Sequence, residues 1–414
     1  MRRFLIAVLL GMMVLAVGCG GGGSNTSTVN KIATPTQNVQ AIAVDGGPAA
    51  FITANGPYVD GAFVTITVCA PGSTTICNTI DHVLVDTGSF GLRVLSSSSG
   101  GELTITLPAT SLSGTPLGEC VQFADNSFLW GPVETADVKI AGEQASSLPV
   151  NVVGDATFSA GSPVPSTCSN TGGPDDDNLN SLGANGILGV GFVRYDCGNF
   201  CTSGTPPTGV YYQCPASGCV PALVPLAQQV QNPVSLFASD NNGVIIELPA
   251  ASGPQPSLTG SMVFGIGTQS NNALGSATVL TLDSNGNFAT KFNNTTMSNS
   301  FIDSGSNGLF FDDSSIATCQ TATGFYCPTT PANNLTAVNT GSNGASSTVT
   351  FNVINAEGVF GTSPNDPVLP GLAGQNDGTF TSFDFGLPFF YGRNVFTSIA
   401  GTTAPGGQTP YWAY

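Results

Sequence analysis

The sequence predicts an all-β protein with two lobes and a cleft between them, and its composition is the first observation behind this prediction. Glycine and proline supply 53 and 28 of the 414 residues, about a fifth of the chain, where about 12% is usual. Lysine and glutamate, which favour exposed helices, together number nine. Because 41% of the residues are hydrophobic, the chain is expected to fold into strands joined by many turns.

The ionic content of the chain is low and strongly acidic. Eight Lys and Arg residues stand against 25 Asp and Glu residues, for a formal net charge of −17, which excludes nucleic-acid binding through a basic face. His82 is the only histidine, so multi-histidine zinc sites cannot be built, and we expect His82 on a strand surface. The predicted chemistry therefore depends on carboxylates, with no metal and no cofactor.

The first residues have the pattern of an export signal. Two arginines precede an apolar run over residues 4–17, and Gly18-Cys19 follow. The run is too short to span a bilayer comfortably and is typical of a signal peptide. The residues before Cys19, Leu-Ala-Val-Gly, resemble a bacterial lipobox, which implies cleavage before Cys19 and lipidation of its thiol. Ordinary secretory cleavage nearby is the alternative.

The segment after Cys19 predicts where the protein resides. We expect a signal peptide over residues 1–18 and a flexible, glycine-rich tether over residues 19–45. Gly20, rather than aspartate, follows the predicted lipid-bearing cysteine, which by lipoprotein resemblance favours the outer membrane. The expected location is therefore the bacterial cell envelope, with a lipid anchor at Cys19 and no later membrane span.

Ten cysteines remain after Cys19. An even number in an exported protein favours disulfides. Pairing by sequence proximity gives Cys69–Cys77, Cys197–Cys201, Cys214–Cys219 and Cys319–Cys327, which leaves Cys120–Cys168. Metal binding by the cysteines at 197, 201, 214 and 219 is the alternative.

A motif that occurs twice organises the rest of the chain. Residues 83–92 and 301–309 both read apolar-apolar-Asp-[Thr/Ser]-Gly-Ser-x-Gly-Leu after alignment of the two aspartates. Such a pattern predicts a buried strand that breaks into a tight turn presenting a carboxylate. A later piece also repeats, as Gly-Ile-Leu-Gly at 186–189 and Phe-Phe-Tyr-Gly at 389–392. The repeats predict two duplicated lobes, at about 46–268 and 269–414.

These motifs resemble those of the pepsin-like, bilobal aspartic endopeptidases, in which an apolar-apolar-Gly piece braces each aspartate turn. The resemblance covers roughly residues 55–400 and implies the pepsin-like fold, with Asp86 and Asp303 as the catalytic pair. It further implies that Thr87 and Ser304 cross-link the two turns and that Ser89 and Ser306 bond the outer carboxylate oxygens. The remaining residues expected to support the pair are the turn glycines, Gly88 and Gly305.

Two adjacent carboxylates suit the hydrolysis of a peptide bond for a physical reason. Two such groups within hydrogen-bonding reach cannot both ionise cheaply, so they share one proton. The charged group can take a proton from a water molecule while the protonated group polarises the scissile carbonyl. The pair titrates as a unit, so the sequence leaves open which aspartate is the base.

The segment that would cover the cleft departs from the family pattern. Residues 121–142 occupy the place of the flap hairpin, and they contain no tyrosine. Phe123, Phe128 and Trp130 are the residues expected to cover the substrate, and for Phe123 and Trp130 packing in the core is the alternative. Arg93 stands where the family has an aromatic residue, and we expect it either to pair with an acidic group near the first turn or to lie on the surface.

Two functions remain open from the sequence, and a structural envelope lipoprotein whose cleft is vestigial is a third, more remote alternative. The first is a membrane-anchored aspartic endopeptidase, a monomer that cleaves peptides or proteins at acidic pH. The second is a catalytically inactive envelope lipoprotein that binds peptides or another polymer in the same cleft. The two intact turns favour the first and the altered flap favours the second.

A run of three aspartates at 175–177 indicates either a solvated acidic loop or a calcium site.

Overall fold

The computed structural model describes residues 33, 37–376, 378–379 and 381–414. The predicted signal peptide, Cys19 and most of the predicted tether lie outside the described residues. The described chain consists mainly of strands with a few short helices, so the all-β prediction is confirmed. No helix formed by the described residues is both long and apolar enough to cross a membrane.

The strands follow one another closely along the chain, as expected where glycine and proline are frequent. Those of the first half are β1 (Val39–Val44), β2 (Ala62–Cys69), β3 (Cys77–Asp86), β4 (Phe90–Leu95), β5 (Ser111–Leu112), β6 (Thr115–Gln122), β7 (Phe128–Ile140), β8 (Glu143–Val153), β9 (Gly186–Val190), β10 (Tyr211–Gln213), β11 (Val220–Pro221), β12 (Gly243–Leu248) and β13 (Leu258–Phe264). Those of the second half are β14 (Val279–Thr281), β15 (Phe288–Phe292), β16 (Thr295–Ile302), β17 (Leu309–Phe310), β18 (Ala332–Thr340), β19 (Ser346–Val353), β20 (Ala373–Gly374), β21 (Asp384–Phe385), β22 (Arg393–Ser398) and β23 (Tyr411–Ala413).

The helices are short and lie in the connections between strands. The α-helices are α1 (Ala49–Asn55), α2 (Ala156–Gly161), α3 (Ser166–Ser169), α4 (Leu179–Leu182) and α5 (Ala356–Thr362). Single turns of 3-10 helix span Ser97–Ser99, Gly198–Cys201, Leu226–Gln228, Pro233–Leu236 and Leu387–Phe389.

Strand pairing divides the described residues into a large sheet and a smaller one. In the large sheet, β7, β8, β4, β9, β3 and β2 pair in that order, and β2 also pairs with β7, so these six strands close into a barrel. The smaller sheet belongs to the second lobe and has the order β19-β18-β15-β16-β21-β17-β20. Between them, β1, β13, β12, β22, β23 and β14 continue the large sheet. The two halves of the sequence therefore share hydrogen-bonded strands.

Each lobe contains the same three-strand unit around its aspartate turn. In the first lobe, β9 pairs in parallel with β3, whose last residue is Asp86, and antiparallel with β4 beyond the turn. In the second lobe, β21 pairs in parallel with β16, which ends one residue before Asp303, and antiparallel with β17. The duplicated motif thus folds into two equivalent units, each holding one turn from both sides.

The predicted tether is too long by one strand. Residues 39–44 were expected to be flexible, but they form β1, which pairs with β13 from Val39 opposite Val263 to Val44 opposite Leu258. The side chains of Val39, Ile42 and Val44 are buried. Apolar residues at these positions stabilise the strand because their side chains are transferred from water into the core, while the backbone pairs with a strand on each edge.

Five disulfides join the described cysteines, and they are the five predicted pairs: Cys69–Cys77, Cys120–Cys168, Cys197–Cys201, Cys214–Cys219 and Cys319–Cys327. The cysteines that were the alternative metal ligands are thus paired with one another. Four of the bridges span eight residues or fewer and pin local turns, whereas Cys120–Cys168 spans 48 residues and joins β6 to α3.

Candidate active site

The first turn holds the Asp86 carboxylate with three donors. The N–H groups of Gly88 and Ser89 donate to Asp86 Oδ1 at 2.8 and 3.1 Å. The Ser89 hydroxyl donates to Asp86 Oδ2 at 2.5 Å. Because β3 is buried and ends at Asp86, the carboxylate lies at the inner end of the strand and is only 6% exposed.

The second turn holds the Asp303 carboxylate in the same way with fewer donors. Gly305 donates its N–H to Asp303 Oδ1 at 2.8 Å. The Ser306 hydroxyl lies 2.8 Å from Asp303 Oδ2. The same hydroxyl also contacts a further carboxylate, that of Asp384, at 2.6 Å. The first turn has no counterpart to this third carboxyl group, because Ile187 of β9 occupies the matching place.

Reciprocal hydrogen bonds join the two turns. Thr87 N–H donates to Ser304 Oγ at 3.1 Å, and Ser304 N–H donates to Thr87 Oγ1 at 2.9 Å. The same two hydroxyls donate in turn to the carbonyl oxygens of Ile302 and Val85, at 3.2 and 2.7 Å. All four groups are buried, so each backbone donor depends on the hydroxyl of the opposite lobe.

The turn glycines allow the two carboxylates to approach one another. An ideal Cβ on Gly88 would lie 2.6 Å from Asp303 Cγ, and one on Gly305 would lie 2.7 Å from Asp86 Cγ. These distances are far inside van der Waals contact, so a side chain at either position would push the facing carboxylate away. With glycine in both places, the side chains of Asp86 and Asp303 lie within hydrogen-bonding contact of each other.

Burial and mutual repulsion make one proton bind tightly to this pair. Removal from water, the negative charge of Asp303 and the hydrogen bond to Asp303 raise the pKa of Asp86 from 3.8 to about 8, against the opposing bonds from Ser89 and Gly88. The pair therefore keeps a proton that one of its groups can donate until the pH approaches about 8.

The brace of the second lobe differs from the prediction. Residues 389–392 were expected to brace the turn, but Gly392 hydrogen-bonds Leu248 of β12 and Tyr391 donates its hydroxyl to Asp60 at 2.5 Å. The strand that pairs beside the turn is β21. Gly386, the residue after β21, packs so tightly against the residues beyond the turn that a Cβ on it would lie 2.1 Å from the Gly308 carbonyl oxygen. The piece equivalent to 186–189 is therefore 383–386, Phe-Asp-Phe-Gly.

Asp384 is a titratable residue of the cavity lining that the sequence did not single out, because it breaks the apolar-apolar-Gly pattern. The rings of Phe383 and Phe385 stack 4.1 Å apart in the core of the second lobe. Successive side chains of a strand point to opposite faces, so Asp384 points away from that stack and toward Ser306. The available signal was an aspartate between two aromatic residues, followed by a glycine, a few residues before the predicted brace at 389–392.

The paired aspartates lie at the floor of a cavity of about 410 Å³. Its lining includes Asp384, the first-lobe residues Phe90 and Phe192, and second-lobe residues such as Phe301 and Phe310. The mixture of apolar walls and a few convergent polar groups is typical of sites that bind ligands.

The flap hairpin consists of β6 and β7, and its tip at residues 123–127 reaches the cavity. Phe123 lines the cavity with its neighbours Ala124 and Asp125. Phe128 and Trp130 do not, which corrects the prediction that they cover the substrate: both are buried in a cluster with the Cys120–Cys168 bridge. Strand alternation places Trp130 inside, where its indole N–H donates to the Ser162 carbonyl at 3.0 Å.

Arg93 pairs with acidic groups beneath the first turn, one of the two expected outcomes. It is 3% exposed, and its Nη2 lies 2.9 Å from Glu119 Oε1 and 3.5 Å from Asp196 Oδ2. Its Nη1 donates to the carbonyl of Phe90, a cavity residue, at 2.7 Å. The ion pair therefore supports the backbone behind the site rather than the cavity itself.

The remaining sequence candidates lie away from the cavity. His82 contacts Asp81 and Asp45 at 2.8 and 3.4 Å, and its side chain is 24% exposed. In the acidic run, Asp177 accepts the backbone N–H of Trp130 at 2.7 Å, and Asp175 accepts that of Asp177 at 2.9 Å. These carboxylates thus bind the backbone around them.

The fold and the site together define a class: all-β, bilobal proteins in which two equivalent turns bring a pair of aspartates to the floor of a cavity. The chain belongs to the family described as "Protein of unknown function (DUF3443)", whose model matches residues 34–414. Among solved structures it is similar to the aspartic proteinase from Irpex lacteus, with 15% identity and a TM-score of 0.49 over 91% of this chain and 96% of that chain. No curated protein was found to match.

Proposed function

We propose that this chain is an aspartic endopeptidase that activates water between Asp86 and Asp303. One observation carries the proposal: the two duplicated turns place these carboxylates in mutual contact at the floor of a cavity. The surrounding donors support it, because each outer carboxylate oxygen receives a serine hydroxyl and each inner oxygen receives at least one backbone N–H.

The proposed mechanism uses the single proton shared by the pair. The ionised carboxylate takes a proton from a water molecule held between the two groups, and the oxygen of that water attacks the scissile carbonyl carbon. The protonated carboxyl group gives its proton to the carbonyl oxygen as negative charge develops there, which forms a tetrahedral diol. The C–N bond then breaks: the carboxyl group that holds the proton from water passes it to the leaving amine nitrogen, and the other carboxylate takes a proton from the diol, so the pair again shares one proton. Peptide in extended conformation would lie in the cavity under the flap, with Phe123 against it.

The electrostatics of the pair set the expected pH range. Turnover at acidic pH needs one charged and one protonated carboxyl group. Because burial and the charge of Asp303 raise the pKa of Asp86 to about 8, the shared proton is retained throughout the acidic range. Activity is therefore expected at acidic pH. In a plot of activity against pH, the alkaline limb should extend toward neutrality and fall as the pH rises through about 8.

Digestion of a peptide library tests the proposal. The full chain, purified in mild detergent, is incubated with the library from about pH 3 to 9, with and without pepstatin, and the products are read by mass spectrometry. Asp86→Asn and Asp303→Asn should each abolish cleavage, and the double variant should be little worse than either, because the pair acts as a unit. Asp312→Asn is the matched control, since Asp312 is buried in the same lobe but does not line the cavity.

Equal cleavage by wild type and Asp303→Asn would exclude the aspartic mechanism. If the wild type cleaves nothing at any pH but binds library peptides in the cavity, the protein is instead a catalytically inactive binding protein of the same fold.

Anchoring in the bacterial outer membrane is a part of the proposal that rests on the sequence alone. The lipobox-like residues before Cys19 support it. Labelled palmitate fed to a bacterial host should enter the wild-type chain but not Cys19→Ser, and the variant should be released from the membrane fraction. Labelling of Cys19→Ser to the wild-type level would exclude lipidation at this cysteine.

A further inference from the structure

Three carboxyl groups, rather than two, meet at the floor of the cavity. Asp384 lines the cavity together with Asp86 and Asp303, and it is 7% exposed. Its Oδ2 lies 2.6 Å from the Ser306 hydroxyl oxygen, which is itself 2.8 Å from Asp303 Oδ2. The mechanism proposed above uses only the first two carboxylates, so the role of the third is unassigned.

Counting hydrogens shows that this arrangement needs an additional proton. A serine hydroxyl has one hydrogen and can donate it to only one acceptor. The Ser306 oxygen is in hydrogen-bonding distance of two carboxylate oxygens, so one of those two carboxyl groups has to supply the second hydrogen. Among the described residues, the Ser89 hydroxyl of the first lobe hydrogen-bonds one carboxylate, that of Asp86, so these residues require no such additional proton there.

The surroundings place that proton on Asp384. Asp303 accepts the Gly305 N–H on its other oxygen, so each of its two oxygens has a hydrogen-bond donor. Within the described residues, Oδ1 of Asp384 has no hydrogen-bond partner. A buried carboxylate that accepts fewer hydrogen bonds than its neighbour is the costlier one to ionise, so the hydrogen bonds run from Asp384 to Ser306 and from Ser306 to Asp303.

The charges around Asp384 point the same way. Burial, followed by the negative charges of Asp303 and Asp86, raises the pKa of Asp384 well above 3.8, although the Ser306 bond opposes this. Its cross-strand neighbours, Phe301 of β16 and Phe310 of β17, contribute no titratable group. Asp303 and Asp86 are thus the described ionisable groups that act on it most strongly.

We propose that Asp384 is a positioning residue that stays protonated during turnover and directs the Ser306 hydroxyl toward the catalytic Asp303. When Asp384 loses its proton, its carboxylate competes with Asp303 for the single Ser306 hydrogen and adds a third negative charge beside the pair. Loss of this proton would therefore switch off the site as the pH rises. This inference rests on the proposed peptidase function, but the protonation of Asp384 can be tested without it.

Asp384→Asn is the central test, because the amide donates to Ser306 at every pH and cannot ionise. The activity arm compares kcat/KM for a cleaved peptide from pH 3 to 9. The variant should retain activity within about threefold at acidic pH, and its alkaline limb should move upward by about one pH unit. Asp312→Asn should leave the limb in place.

The stability arm needs no substrate. Because the pKa of Asp384 is raised in the folded state, its contribution to the stability of the fold is complete below about pH 3.8 and is lost as the pH rises. The Tm of Asp384→Asn minus that of the wild type should therefore grow by about 2 °C or more between pH 4 and pH 8. Should this variant fail to fold, Asp384→Ile, with the residue type found at the equivalent position 187, can be measured in its place.

The two arms separate the possible failures. If the wild type cleaves peptides but the variant has an unchanged alkaline limb and a parallel Tm curve, the role of Asp384 is excluded and the peptidase proposal stands. If the wild type cleaves nothing at any pH, the peptidase proposal fails, and the Tm curves alone decide whether Asp384 is protonated.

Discussion

Thr87 and Ser304 each accept the backbone N–H of the other, at 2.9 and 3.1 Å, and so tie together turns that lie 217 residues apart in the sequence. Neither backbone donor has water as an alternative, since both residues are fully buried. The relative position of the two lobes at the site is therefore held by two side-chain oxygens.

Removing either hydroxyl should cost stability as well as activity. Thr87→Val and Ser304→Ala each leave a buried N–H without its acceptor, so each should lower the free energy of unfolding by about 1–3 kcal/mol. The double variant should lose less than the sum, because both oxygens belong to one network. Urea denaturation measures this, with the exposed Ser217→Ala as control. If the loss in the double variant equals the sum of the two single losses, the two hydroxyls do not belong to one coupled network.

The raised pKa of Asp86 predicts that this carboxyl group destabilises the folded protein at high pH. The folded state holds a proton that the unfolded chain releases near pH 3.8. The stability that this bound proton gives the folded state is therefore lost as the pH rises from about 3.8 toward about 8. Asp86→Asn should match the wild type near pH 3 and exceed it by at least about 1 kcal/mol at pH 8. Chemical unfolding at both values is the measurement, and a less stable variant at pH 8 would refute the expectation.

Phe123 should contribute to substrate binding because it is the aromatic residue of the flap tip that reaches the cavity. If the proposed peptidase function holds, Phe123→Ala should raise KM by about tenfold with a smaller change in kcat, since an apolar contact is lost while Asp86 and Asp303 are untouched. Phe200→Ala is the matched control, because Phe200 is 72% exposed and does not line the cavity. An unchanged KM in Phe123→Ala would remove Phe123 from the binding site.

The buried ion pair of Arg93 and Glu119 should respond unequally to mutation. Arg93→Met leaves Glu119 and Asp196 buried without their cation, which is expected to cost about 3–5 kcal/mol at neutral pH. Glu119→Gln leaves Arg93 with Asp196 and should cost less. Since protonation relieves unpaired carboxylates, the loss in Arg93→Met should shrink as the pH falls. Unfolding curves at pH 5 and pH 7.5 measure this, and an equal loss in Arg93→Met at both pH values would show that the arginine contributes only packing.

His82 can be followed directly because the chain has one histidine. The hydrogen bond to Asp45, and then that to Asp81, raise the pKa of His82 to about 9 against partial desolvation. Its contribution to stability is thus complete below about pH 6.5 and is lost as the pH rises through about 9. A proton NMR titration of the imidazole should give a midpoint near 9, which Asp45→Asn should lower. A midpoint near 6.5 in the wild type would show that the contacts are not made in solution.

Much of the molecule follows from patterns that are local in the sequence. The predicted disulfides are correct because four of the pairs are separated by eight residues or fewer, which left one pair for the remaining two cysteines. The aspartate turns can also be predicted from local sequence, since an apolar run followed by Asp-x-Gly specifies a buried strand and the turn that ends it. Two copies of one such turn already indicate two lobes that face each other.

Other features depended on contacts between residues far apart. Residues 39–44 look like the end of a tether until β13, more than 200 residues later, provides a strand to pair with. Trp130 and Phe123 lie in the same hairpin, and the packing of α3 and β10 against it decides that the tryptophan is buried while the phenylalanine reaches the cavity.

The sequence by itself determined the fold class, the two aspartate turns and the cysteine pairing, because each depends on short-range spacing and composition. Only the tertiary structure decided that Asp384 joins the site. An aspartate in an apolar strand gives no sign of its partner until parallel pairing of β21 with β16 sets it beside Ser306, 78 residues earlier in the chain. Register between distant strands is a property of the whole packed core, and it is this register that turns a pair of carboxyl groups into three.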